Sequence, residues 1–264
     1  MAITADDVRE HVKHAEAVLS AVEEALNPQE FVGFEAEEAA YRCVLAAMTY
    51  RSMNLARSAV DAARQGYGET VALAARCMQE MLYTAKGLAK DSSMSRDFLL
   101  YSLDEQKAAA MRIAKGRAGG DESKLDLSTV ERLARLRGPD EHKWAKHVSM
   151  RAKAAGMEKN YTTEYAFLSM QAHSDGYALM LYQLSCNDGV EVWPKMWPGA
   201  VFLYLQLAIV KFVDLTDVLL PMFGARESPP ELKCAWREYE SYMGDFDLAH
   251  EMRPPPVFDW DSAS

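Results

Sequence analysis

Apolar residues recur every three to four positions along most of this chain, and no stretch alternates apolar and polar residues between turn signals. That periodicity predicts helices. The first spans Ala5 to Leu26 and stops at Asn27-Pro28, because the residue before a proline is pushed out of the helical region. The second runs from Phe31 to Gln65, with Val44, Leu45, Met48, Leu55, Ala59 and Ala63 on one side, and ends at Gly66 and Gly68. A third covers Glu69 to Lys90 and has the clearest helical stripe: Val71, Ala74, Met78, Met81, Leu82, Ala85 and Leu88. A fourth runs from Ser92 or Ser93 to Lys115. Shorter helices are expected at Ser128 to Leu136 and Asp140 to Ala155, split by Gly138-Pro139. A long helix from Tyr161 or Thr162 to Cys186 follows, closed by Asn187-Asp188-Gly189. Two more are expected at Pro198 to Leu220 and Pro230 to Met243.

These elements predict an all-α fold: a single array of about eight or nine helices spanning residues 1–250. The Pro198 to Leu220 helix is apolar nearly all round in its first half, so it is expected at the centre, with Phe202, Leu205 and Ile209 buried. Its charge-free run ends at Val210, before Lys211, Asp214 and Asp217. That is shorter than the ~20 apolar residues a membrane span needs. Gly116 to Leu127 is Gly-rich and charged, which predicts an exposed loop. The tail, 251–264, is expected to be extended because of Pro254 to Pro256.

Charge narrows the partners. The chain carries 39 acidic against 29 basic residues, a formal charge of -10. Wrapping duplex DNA needs clustered Lys and Arg, so that function is not expected. Cys43, Cys77, Cys186 and Cys234 lie far apart without C-x-x-C spacing, and the N-terminal residues lack the pattern of a secretory signal. Both point to reduced thiols in a cytoplasmic protein with no membrane partner. No Glu-x-x-His pair, H-E-x-x-H, phosphate-binding Gly-rich loop or G-x-S-x-G elbow occurs, so neither a metal nor a cofactor is expected. His11 and His14 sit three apart among charged neighbours, where solvent-exposed histidines are expected.

Two helix faces carry candidate chemistry. Tyr165, Ser169 and His173 are four apart and climb one face, with the small Ala172 and Gly176 on the same side. Close helix approach there would oblige the polar groups to find partners, and His173 is the candidate acid or base. On the third helix, Arg76 and Glu80 share a face opposite Met78 and Met81. Their helix is so apolar that it is expected to be covered on both sides. Glu80 would then hold Arg76 in place, leaving guanidinium donors for a phosphate or carboxylate.

The segment AARCMQEMLYTAKGLAKDSSMSRDFLLYSLDEQK, followed later by YAFLSMQAHSD, resembles a widespread microbial family of helical proteins of unknown function. That family pairs an Arg-x-x-x-Glu helix with a Leu-Ser-x-x-x-His helix. The likeness covers residues 40 to 185 and points to Arg76, Glu80, Tyr165, Ser169 and His173 as a polar inter-helix site. More loosely, the layout is similar to HEPN (higher eukaryotes and prokaryotes nucleotide-binding) helical proteins, many of them toxin or anti-phage ribonucleases. Their Arg-x4-6-His count occurs in Arg137 to His142, but Gly138-Pro139 breaks the helix there. Three functions follow as expectations: a defence or stress protein that binds a nucleotide or RNA, a non-catalytic homodimeric interaction module, and a small-molecule-binding helical protein.

Overall fold

The computed structural model describes residues 3–26, 39–119, 127–128, 131, 145, 147–172, 183–186, 189–192, 195–222 and 227–246. The fold is all-α, with one small hairpin. Helix α1 (Ala5–Ala25) starts on a capping box: Thr4 Oγ1 accepts from Asp7 N–H, and the Asp7 carboxylate accepts from Thr4 N–H at 2.7 Å. Helix α2 (Ala39–Gln65) ends at Gly66, whose φ of 80° is open to glycine without strain. Helix α3 (Gly68–Lys90) and helix α4 (Met94–Ala118) follow. Next come α5 (Val148–Ala155), the single turn α6 (Glu158–Asn160), a π-helical turn (Tyr161–Tyr165) and α7 (Ala166–Ala172). Strands β1 (Gln183–Cys186) and β2 (Gly189–Val192) precede α8 (Pro198–Met222) and α9 (Pro230–Gly244).

Helix α8 is the central element. It packs on α3, α2 and α1, and Phe202, Leu205, Ala208, Ile209, Phe212 and Leu215 are fully buried. By length and composition Pro198–Pro221 would suit a membrane span, yet most of it lies inside the fold. That is the behaviour of a core helix whose apolar surface is satisfied by other helices. Helix α3 packs against four helices: α8, α2, α5 and α7. Such cover is what makes any polar side chain on α3 consequential.

Several expectations need correction. The helix expected to run unbroken from Tyr161 to Cys186 contains a π turn, and Gln183–Cys186 is a strand paired antiparallel with Gly189–Val192. Cys186 pairs with Gly189, leaving two intervening residues, the spacing of a tight hairpin. The helix expected from Asp140 breaks at His147, which is extended and caps α5. Helix α4 runs past Gly116 to Ala118 and stops at Gly119, which has φ 60°. His11 is fully buried rather than solvated. Its Nε2 lies 2.6 Å from the Tyr239 hydroxyl, and its ring packs on Phe202 at 4.2 Å. Burial, with a smaller contribution from His14, lowers its pKa to about 3. The Arg137 to His142 segment and the 251–264 tail lie outside the described residues.

Candidate functional site

The π turn brings Tyr165 to α3. Its sequence, YTTEY, places two threonines where their hydroxyls bond back to the preceding turn. Thr162 Oγ1 donates to the Lys159 carbonyl at 3.0 Å, and Thr163 Oγ1 donates to the same carbonyl at 2.9 Å. Side-chain donors on a carbonyl compete with the helical ladder, which favours a locally widened turn. Tyr165 then projects onto α3, where it is nearly buried beside Tyr83 and stacks on Tyr161.

Around it the polar groups form one cluster. Arg76 Nη2 donates to the Tyr165 hydroxyl at 3.1 Å, and that hydroxyl donates to Glu80 Oε1 at 2.9 Å. Arg76 Nε lies 3.6 Å from the same carboxylate oxygen. The other oxygen, Glu80 Oε2, accepts from Arg151 Nη2 on α5 at 3.2 Å. Thr84 adds a weaker contact from Arg151 at 3.4 Å while bonding back to the Glu80 carbonyl. Burial above all, with Glu80 adding to it and Arg76 opposing, raises the Tyr165 pKa. The hydroxyl therefore stays protonated at neutral pH and serves as a donor to Glu80. One carboxylate thus sits between two guanidiniums, leaving a net positive centre in a place only a fifth to a quarter exposed on the α3 side.

Glu80 also faces a cavity of about 470 Å³ between α2, α3, α4 and α5. Its walls are apolar at Val44, Met48, Met81, Phe98 and Leu99. Its polar groups are concentrated at Glu80, Thr84, Arg151, Tyr101, Glu105 and Arg51. Cys43 and Cys77 line it too and are unpaired thiols. Burial, followed by the neighbouring Glu105, raises the Tyr101 pKa as well. Buried polar atoms without a hydrogen-bond partner occur on α3, α5 and α7. Among the described residues, they include Arg76 Nε, both amide atoms of Gln79, Tyr83 Oη, Arg151 Nε and Ser169 Oγ. Elsewhere in the described fold only His11 Nδ1 is in this position. Glu164 Oε2 has an ion-pair partner in Lys211.

Arg76, Glu80 and Tyr165 therefore converge within hydrogen-bonding distance. Ser169, one turn further along α7, is half-buried with an unpartnered hydroxyl and does not join the cluster. His173 lies outside the described residues. Sequence reasoning missed Arg151 and Thr84, as well as the cavity residues Tyr101 and Glu105. The available signal for Arg151 was the small residues beside it, Ala152 and Ala155, which are buried and let α5 approach α3 closely. Among the described residues no group of three or more His, Cys, Asp or Glu side chains is arranged to hold a metal.

Comparison with known proteins gives one match. No curated protein and no solved structure matches the chain. A family model matches residues 42–191, more than half the chain, taking in α2 through β2 and with them Arg76, Glu80, Arg151 and Tyr165. The chain belongs to this family, described as a family of unknown function (DUF5677).

Proposed function

We propose that this chain binds a small organic anion of nucleotide size in the cavity between α2, α3, α4 and α5. The observation that carries the reading is the Glu80–Arg151 pair at the cavity wall, with Arg76 bracing Glu80 from outside the lining. The cavity lining sets Arg51 and Arg151 against Glu80 and Glu105, and a planar guanidinium among them suits a phosphate or carboxylate. The volume falls within the ~300–1,000 Å³ common for ligand sites. Phe98 and Tyr101 supply aromatic surface for a planar base, and Met48 and Met81 supply adaptable apolar contact. A free nucleotide fits better than RNA, because a chain of charge -10 repels a polyanion beyond one basic spot.

The same proposal extends to a cytoplasmic, HEPN-like defence or stress protein in which His173, four residues after Ser169, moves a proton on the ligand. A second reading, a homodimeric interaction module, draws support from α4. Ile113 there is 56% exposed, whereas Leu99, 37% exposed, also lines the cavity.

Binding decides between them. AMP and the apolar sulfonate 1-anilinonaphthalene-8-sulfonate are titrated by calorimetry and fluorescence. Saturable binding of both, weakened about tenfold or more by Arg151→Ala, is expected from the loss of a charge-assisted hydrogen bond. Binding of the sulfonate alone would remove the nucleotide and keep the organic anion. No saturable binding of either probe, or an unaffected Arg151→Ala protein, would refute the site.

A further inference from the structure

The π turn faces two ways. Tyr165 at its end reaches α3, while the residue before it, Glu164, reaches α8. There it meets Lys211, whose Nζ lies 2.6 Å from Glu164 Oε2 and 3.8 Å from Asp214 Oδ2. The Lys211 side chain is only 5% exposed, in the middle of the most apolar helix of the fold. A buried ammonium pays a heavy desolvation cost unless a counter-charge stands close by in good geometry. Asp214 is the more distant and more exposed of the two carboxylates, so Glu164 is the main counter-charge. The need to neutralise Lys211 therefore fixes where Glu164 sits. Because Glu164 and Tyr165 are consecutive in a turn of unusual width, it also fixes where Tyr165 points.

We infer that Lys211 is a positioning residue for the α3 cluster: its ion pair with Glu164 holds the π turn in the register that delivers the Tyr165 hydroxyl between Arg76 and Glu80. Lys211 touches none of those three groups in the described structure and acts through the backbone of residues 161–165. The inference rests on the reading of that cluster as a ligand site only for its importance to binding. The positioning itself is independent of any ligand.

The two are separated by reading Tyr165 directly. The full chain is labelled with 13Cζ-tyrosine, Tyr165 is assigned by its loss in Tyr165→Phe, and its resonance is followed against pH in wild type, Lys211→Met, Glu164→Gln and Lys211→Arg. In Lys211→Met and Glu164→Gln the Tyr165 resonance is expected to shift, and its titration to fall back toward the ordinary tyrosine value near ~10. Lys211→Arg, which keeps the charge, is expected to restore the wild-type behaviour. Should Lys211→Met fail to fold, Glu164→Gln decides, since it breaks the pair from its more exposed side. An unchanged Tyr165 resonance and titration in folded Glu164→Gln would overturn the inference. If instead Tyr165 responds as expected but the wild-type protein binds neither AMP nor the sulfonate, the positioning stands and the ligand site falls.

Discussion

Removing the Tyr165 hydroxyl and removing the Glu80 charge perturb one cluster in different ways. Without the hydroxyl, Arg76 Nε and Glu80 Oε1, already 3.6 Å apart, can close on each other. Tyr165→Phe is therefore expected to cost about 1 kcal/mol. Glu80→Gln leaves two guanidiniums facing each other across a neutral amide, and a cost of about 2 kcal/mol is expected, discounted from the fully buried case because Glu80 is 27% exposed. Urea unfolding of both variants checks the order, and a Tyr165→Phe protein less stable than Glu80→Gln would contradict it. Arg76 and Glu80 were legible in the sequence because a charged pair stands out on so apolar a helix. Arg151 was not. It shares a short, Ala-rich segment with Lys153, which is exposed, and only the approach of α5 to Glu80 distinguishes the two basic residues.

Several element boundaries were readable where Gly and Pro punctuate a helical stripe, although α4 continues through Gly116 and α8 through Pro221. The bounds of α1, α3 and α8 fall within a residue or two of those expected. The stretch from Tyr161 to Cys186 was misread because a short apolar run such as LMLYQLSC fits a buried helix or a strand equally well. Asn187-Asp188-Gly189 suits a helix stop and a two-residue hairpin connection alike, and Cys186 pairs with Gly189 in the latter way. The π turn left no periodic trace, since it depends on two threonine hydroxyls finding one carbonyl. For α8 the expectation of a central helix was met, and it is quantitative. Leu205 is fully buried, so Leu205→Ala should cost about 2–5 kcal/mol in chemical denaturation. A loss below ~0.5 kcal/mol would mean that the helix is loosely seated.

For the molecule as a whole, His11 links stability to pH. The fold lowers its pKa from 6.5 to about 3, so the folded protein favours the neutral ring. The stabilisation tied to that ring is complete above pH 6.5 and is lost as pH falls toward 3, by about 1.4 kcal/mol per pH unit at most. His11→Leu should be less stable than wild type at pH 7, because the Tyr239 hydroxyl loses its partner, yet flatter between pH 6 and 4. Parallel acid profiles for the two proteins would exclude His11 as the cause. The position of α8 bears on how the chain is made. Ribosomes extend a chain at ~5–20 residues per second, so α1, α2 and α3 leave the exit tunnel many seconds before the helix that covers them. During that interval the faces of α2 and α3 against which α8 packs lack that cover, and nascent chains are exposed to chaperone capture or self-association. When α8 emerges it is itself apolar enough to tempt the membrane-insertion machinery. Lys211 and Asp214 lie within it, and each costs ~2.5–3.5 kcal/mol at a bilayer centre. The charge that pairs with Glu164 in the finished fold thus also raises the cost of placing this helix in lipid.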